Sequence, residues 1–511
     1  MTLCILSLVG NGQMVAAQSL AQQQVAYAQN EKILLSEFQA GKVYSVLIGS
    51  GSSTWLKISD SSGVELERIS IPNGTIARNG QSYVQLAATP SGTVYIRSLY
   101  ELVRVGEPTI WHGRIVESFN LASAWANDYF YNVADMALDG NGALFLFGQE
   151  TTGRGNGLVD LIVIRFDTSS PTLVPMWKRY YSVADEVEDY AASIKIRRDG
   201  TLQLLGHTNL YNGTPRVPLN QEVYSIRLAT DGRVLDLRIL PLPNNQAARA
   251  GGIDADGNLI FLVRDWFESP VFPNPSIEQA RVVKFSPSGA LLWSYVDPSA
   301  WLPRGATAVG DRYYTAEALQ RKLEEDVVFL STITLTTGGT KERVTRLSGN
   351  DGSRFFQVDL NADQRPKIAQ GPMHTLVVGY VDISPMVRNL GVTRLMNRYG
   401  VILSEVHTGS NFDPAPVPSP AFVGIIGGKV RSGFNSARSR NVNTIDSHIA
   451  SYAMPLCAAD ITMDGGVDGD DVSAFYSSFE RSSASSDLNL SSSKDRGDES
   501  VFFTAWEQGG C

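Results

Sequence analysis

Residues 460–471 read Asp-Ile-Thr-Met-Asp-Gly-Gly-Val-Asp-Gly-Asp-Asp, which sets Asp460, Thr462, Asp464, Asp468 and Asp471 at positions 1, 3, 5, 9 and 12 of a loop. Calcium takes about six to eight hard oxygen ligands from a loop that wraps around it, with glycine at position 6 for the sharp turn. Gly465 stands at that position, and Gly466 follows it to offer a backbone carbonyl at position 7. The pattern returns 27 residues later as Asp487, Asn489, Ser491, Asp495 and Asp498. The second loop is poorer. Ser491 replaces the carboxylate of position 5, Ser492 replaces the glycine, and Lys494 stands where an apolar residue belongs. Tight calcium binding is therefore expected in the first loop, with the second weak or empty.

Each loop needs a helix behind it. Val472, Phe475, Tyr476 and Phe479 fall at i, i+3, i+4 and i+7, one apolar helical face. Phe475 and Phe479 recur at the same 27-residue offset as Phe502 and Trp506. Two loop–helix units in register resemble the duplicated calcium module of type I dockerins, in a bacterial variant bracketed by cysteines and ending in Gly-Cys. The resemblance covers residues 455–511. It implies that aspartate at position 12, here Asp471 and Asp498, completes each calcium shell, and that the partner is a cohesin-like domain or another cell-surface protein.

The N-terminus carries an apolar run, Leu3 to Val9, ahead of Val15-Ala16-Ala17, small residues of the kind a signal peptidase cuts after. Residues 1–17 are thus expected to be a signal peptide, and the protein to be secreted or exported, to the cell surface or the periplasm. Cys4 then leaves with the leader. Cys457 and Cys511 remain, and two cysteines in an exported chain read as one disulfide, with two free thiols the alternative. A net charge of −9 excludes the basic surface that nucleic acid demands. No run approaches the roughly 20 apolar residues of a membrane-spanning helix.

Residues 18–454 are organised by repetition. A β-patterned run with a basic residue, a turn and a second run recurs around Lys57, Arg104, Arg165, Arg227, Lys284, Arg346 and Arg394, with an eighth, shortened copy near Ser451. Upstream of each phrase lies another strand–turn–strand, as in DMALDGNGALFLFG and GIDADGNLIFLV. Asx-Gly pairs there supply the positive φ that tight hairpins need. Four antiparallel strands per unit is the content of a propeller blade, and alternation such as Leu144, Leu146 or Leu259, Phe261 fits packing between blades. The fold class expected is mainly β: a β-propeller of eight blades, with seven the alternative, followed by the small α-helical calcium-loop module. The stretch around Val25 would supply the missing outer strand of the last blade. The third unit resembles bacterial SBBP-type propeller repeats, a family whose motifs are structural and whose members include binding proteins, scaffolds and a few enzymes.

Enzyme signatures are missing from the sequence: there is no G-x-S-x-G, HExxH, CxxC or phosphate-cradling glycine loop. The five histidines are scattered, and Asp254-Ala-Asp256-Gly-Asn258 reads as an Asx turn rather than a calcium loop. One cluster could take a ligand. Asp128 and Tyr129 enter one unit, and Glu188, Asp189 and Tyr190 enter the next. Carboxylates beside aromatic rings suit a carbohydrate, a cation or a protein ligand, with a solvated charge run the alternative. The function expected is an exported, non-catalytic binding or scaffold protein, with an extracellular polysaccharide-active enzyme as the alternative.

Overall fold

The computed structural model describes residues 22–507, apart from 72–83, 122–130, 268–276, 304–325, 409–418, 454–468, 481–495 and shorter stretches between them. It is mainly β. The described strands form eight sheets in chain order, numbered one to eight, most of them four-stranded with sequential neighbours paired. Sheet three is representative. Its strands Tyr131–Leu138, Leu144–Thr151, Val159–Phe166 and Pro175–Tyr181 pair antiparallel, each with the next. Four antiparallel strands paired in sequence order are the content of a propeller blade, and the fold is of the β-propeller kind. Sheet eight takes its fourth strand from the other end of the chain: Gln22–Ala28 lies along Ile445–Ala453, with Val25 opposite Ala450.

The chain divides into two compact units, residues 32–359 and residues 1–31 with 360–511. The first holds sheets one to six and the second holds sheets seven and eight together with two helices.

A sheet with apolar side chains on both faces must be covered on both. Sheet three shows how the sequence meets this. Leu144 and Leu146 pack with Tyr95 and Leu102 of sheet two, while Phe145 and Phe147 pack with Leu202, Leu204 and Tyr224 of sheet four. The same alternation carries on through Leu205 and Phe261 between sheets four and five, and through Leu262 and Phe329 between sheets five and six. In the other unit, Val377 and Leu395 of sheet seven meet Val423 and Val430 of sheet eight.

The recurrent basic residue of the sequence phrase sits on an inner strand of its sheet, where it pairs within the sheet, reaches the next one, or does both. Arg227 pairs with Asp199 at 2.6 Å and Arg346 with Asp326 at 2.6 Å within their sheets. Arg165 reaches Thr230 O of the next sheet at 3.0 Å. Lys284 does both, at 2.7 Å from Asp254 and 2.6 Å from Gly349 O of sheet six.

The first strands of sheets three, four and five each carry a β-bulge, between Val133 and Asp135, Ala191 and Ser193, and Ala248 and Ala250. A bulge re-aims the side chain that follows it. Asp135 Oδ2 accepts the Ile194 N–H of sheet four at 3.1 Å, and Ser193 Oγ accepts the Gly251 N–H of sheet five at 3.2 Å. Successive first strands are thus stitched by one polar side chain at the same place in each.

Candidate functional site

The first strand of sheet four, Glu188–Ile196, brings three of the sequence candidates into view. Its register sets Tyr190 opposite His207 and Glu188 opposite Asn209, all on one face. The Tyr190 ring stacks on the His207 imidazole, with centroids 4.8 Å apart and planes 6° from parallel. The Tyr190 hydroxyl donates to Glu188 Oε2 at 3.0 Å, and Asn209 Nδ2 donates to the same oxygen at 3.2 Å. A half-exposed carboxylate and a half-exposed ring are therefore held as one platform. Gly206 makes the arrangement possible, since a Cβ there would lie 2.1 Å from Tyr190 O and 2.3 Å from the Tyr224 hydroxyl. Without that side chain, Tyr224 donates to Tyr190 O at 3.0 Å and fixes the strand from behind.

Asp189 lies between these two in sequence, so strand alternation turns it to the opposite face. It is fully buried, accepting the Val183 N–H at 2.8 Å and the Ser182 hydroxyl at 3.4 Å, while its Oδ1 has no hydrogen-bond partner. It supports the platform and does not belong to its surface. Asp128 and Tyr129 lie outside the described residues. His207 is the residue sequence reasoning missed. A lone histidine with no ligand spacing gives no signal, and only the strand register reveals it as the underside of the Tyr190 ring.

Burial raises the Asp189 carboxyl to about 6, and burial, helped by the Arg249 charge, lowers the His207 imidazole to about 3. The signs oppose. Between about pH 4 and 6 the folded chain keeps a proton on Asp189 that the unfolded chain releases, so this group costs stability as pH rises through that window. Between about pH 3 and 6.5 the unfolded chain protonates the histidine that the folded chain keeps neutral, so His207 adds stability as pH rises. Asp189→Asn removes only the first contribution. Its stability relative to the parent, from urea unfolding at about pH 4, 5, 6 and 7, is expected to grow from pH 4 to 6 and then level off. A difference independent of pH would contradict this.

A second polar cluster lies deeper in the same unit, around Asp135, which is 3% exposed. Besides the Ile194 N–H it accepts Lys195 Nζ at 2.7 Å, the Met136 N–H at 2.9 Å and Gln85 Nε2 at 3.3 Å. Arg97, 2% exposed, feels the same carboxylate and donates through Nη1 to Val133 O. Burial brings the Arg97 guanidinium down to about 10. Next to this cluster is a cavity of about 480 Å³, lined by the first strands of sheets one to five. Its two carboxylates both have fixed duties: Asp135 as above, and Asp139 in its own hairpin, accepting the Ala143 N–H at 2.6 Å. Asp254 likewise closes its turn on the N–H groups of Asp256 and Asn258, as expected of an Asx turn.

At the C-terminal end, helix α1 (Gly469–Glu480) and helix α2 (Arg496–Glu507) are each 12 residues long. Phe475 and Phe502, equivalent residues of the two, are buried and stacked with centroids 4.5 Å apart and planes 9° from parallel. Phe479 and Trp506 pack against that pair. Asp471 and Asp498 are the third residues of their helices, and both are fully buried. Asp460, Thr462, Asp464, Gly466, Asp468, Asp487, Asn489, Ser491, Asp495, Cys457 and Cys511 lie outside the described residues. Among the described residues no group of three His, Cys, Asp or Glu side chains converges in a metal-binding arrangement.

No family model matches the chain, and no curated protein does. Similar solved structures include a puromycin hydrolase, 14% identical over 79% of this chain with a TM-score of 0.43; this chain spans 59% of that enzyme's length. A quinohemoprotein alcohol dehydrogenase from Comamonas testosteroni is 10% identical, over 83% of this chain and 76% of its own, with a TM-score of 0.46. BamB from Moraxella catarrhalis is 11% identical, over 72% and 96%, with a TM-score of 0.31.

Proposed function

We propose that this is an exported, non-catalytic binding or scaffold protein in which propeller blades present a recognition face and a C-terminal calcium-binding module docks to a partner. The observation that carries the proposal is the symmetry of the two helices. Two buried aspartates and two stacked phenylalanines stand at equivalent positions, as a duplicated loop–helix requires. Calcium would be held by Asp460, Thr462, Asp464, Asp468 and Asp471 with the Gly466 carbonyl, and the second loop would bind weakly or not at all. Cys457 and Cys511 would close the module as a disulfide. A dockerin-like role gives it a cohesin-like domain or another cell-surface protein as partner. The eight sheets in chain order are what supports a count of eight blades, with seven the alternative. Residues 1–17 would be the leader that exports the chain. Among the described residues no helix is long and apolar enough to cross a membrane.

The recognition face would be centred on the platform of Glu188 and Tyr190. A fixed ring with an adjacent carboxylate suits a pyranose, whose apolar face stacks on the ring while its hydroxyls donate to the acid. The test is binding of the purified full chain to a panel of soluble polysaccharides. At least one should bind, and Tyr190→Ala should weaken it about tenfold or more, as loss of an aromatic anchor does. Absence of polysaccharide binding, or binding unchanged by Tyr190→Ala, would remove the platform from the recognition face.

A further inference from the structure

Sheet four ends in an apolar edge. Its strands Glu188–Ile196, Leu202–Asn212, Val217–Leu228 and Val234–Leu240 pair in that order, and no described strand lies along the far side of the last. Val234, Leu235, Leu237 and Ile239 of that strand are each between 37% and 44% exposed. An apolar edge strand with open N–H and C=O groups is a template for pairing with another chain, which proteins commonly blunt with charges or proline. The outer strand of sheet three follows that practice, with Pro175, Lys178 and Arg179. The outer strand of sheet one does so with Glu65, Glu67 and Arg68. Val234–Leu240 carries one acid and one base, Asp236 and Arg238, and the rest is aliphatic.

The placing of that acid and base selects the occupant. From Asp236 to Leu240 the ladder with Val217–Leu228 is regular, so Asp236 and Arg238 share one face and Leu237 and Ile239 the other. On the first face Arg238 Nε donates to Asp236 Oδ2 at 2.6 Å, both side chains more than a third exposed, and Arg238 Nη1 donates to Ser288 O of sheet five. A second copy of the strand can be laid antiparallel along the edge about a two-fold axis through Leu237, perpendicular to the sheet. Each face then continues on its own side. Asp236 stands opposite Arg238 of the second copy and Arg238 opposite its Asp236, while on the other face Leu237 meets Leu237 and Ile239 meets Leu235. Opposite charges set directly across two strands stabilise their pairing, and like charges oppose it. The same operation on the outer strand of sheet one sets like charges together. An axis through Glu67 places that carboxylate against itself, and one through Leu66 places Glu65 against Glu67.

We propose that the protein self-associates through Val234–Leu240, two copies of sheet four joining edge to edge into one continuous sheet. The contact is isologous, as a closed dimer requires. Main-chain hydrogen bonds along the edge hold it, and the Asp236–Arg238 pairs fix its register. Tyr190 lies on the first strand, at the opposite edge of the sheet, so the pairing leaves that platform open and sets two of them in one particle.

The experiment is sedimentation velocity of the full chain from about 1 to about 300 μM, a span that takes in weak as well as stable interfaces. The mass should rise from that of one 55.6 kDa chain towards that of two as concentration increases. Leu237→Lys puts two ammonium groups on the axis and should weaken dimerisation about tenfold or more, with the melting temperature of the dilute protein little changed. Asp236→Arg sets like charges opposite each other and should weaken it by a similar factor. Adding Arg238→Asp to Asp236→Arg should restore most of the affinity, which separates cross-strand pairing from a loss of fold. The mass of one chain at every concentration would overturn the proposal. So would dimerisation undiminished by Leu237→Lys, or a double variant that dimerises no better than Asp236→Arg alone.

Discussion

Asp135→Ala is expected to lose about 3–5 kcal/mol of stability, the usual cost of leaving a buried charge without its partner. The substitution does three things together. It strands Lys195, which otherwise sits 2.7 Å from the carboxylate, it removes a carboxylate that acts on Arg97, and it deprives the Ile194 N–H of its acceptor. Asp135→Asn keeps an acceptor for the backbone without the charge and should fall between the variant and the parent. Urea unfolding followed by intrinsic fluorescence measures both. A loss under about 1 kcal/mol for Asp135→Ala, the range of exposed ion pairs, would show that the cluster is hydrated and not a buried network.

Phe147→Ala should cost a comparable amount, about 3–5 kcal/mol, for a different reason. Phe147 is fully buried and belongs to the cluster that joins sheets three and four, with Leu204, Tyr224 and Ile194 around it. Removing the ring forfeits its transfer free energy and leaves a cavity between two sheets whose backbones are fixed by their own ladders and cannot collapse onto it. Phe147→Leu, which refills much of the space, should lose markedly less. Equal losses for the two variants would mean that the neighbouring sheets do relax. The sheets would then be coupled through their polar stitches rather than through packing.

The repeat was legible because its physics is local. Hairpin glycines such as Gly142, Gly200 and Gly257 adopt positive φ where Asx-Gly and Asp-Gly pairs announced turns, and apolar alternation along second strands marked two covered faces. The basic residue of each phrase was visible as a pattern, but its purpose was not. Arg165 and Lys284 find carbonyls on the next sheet, a contact no single repeat contains. The bulges were illegible for a related reason. One extra residue in a first strand leaves no mark on hydropathy, yet it decides that Asp135 reaches Ile194 and Lys195, about one repeat further along the chain. The platform was half legible. Acid and aromatic residues in a loop entering a strand pointed to Glu188 and Tyr190, but treating 188–190 as one surface ignored alternation, which buries Asp189. In the C-terminal module the aromatic face of each helix and its 27-residue repeat were readable from side-chain spacing. The stacked pair Phe475 and Phe502 follows from that symmetry.

Calcium binding by the first loop is tested most directly at a residue that has no second role. Asp471 is a poor choice of variant, because an aspartate in the first turn of a helix also stabilises it through the free N–H groups there. Asp460, the first position of the first loop, and Asp487, its counterpart in the second, avoid that ambiguity. The measurement is calorimetric titration of calcium into the chelator-stripped full chain and into the Asp460→Ala and Asp487→Ala variants. The prediction is one saturable site with a Kd of about 1 mM or tighter, the span from extracellular modules to sensor loops. Asp460→Ala should abolish it and Asp487→Ala should leave it largely intact. No saturable calcium binding in the unaltered chain, or a site lost with Asp487→Ala and kept with Asp460→Ala, would contradict the account.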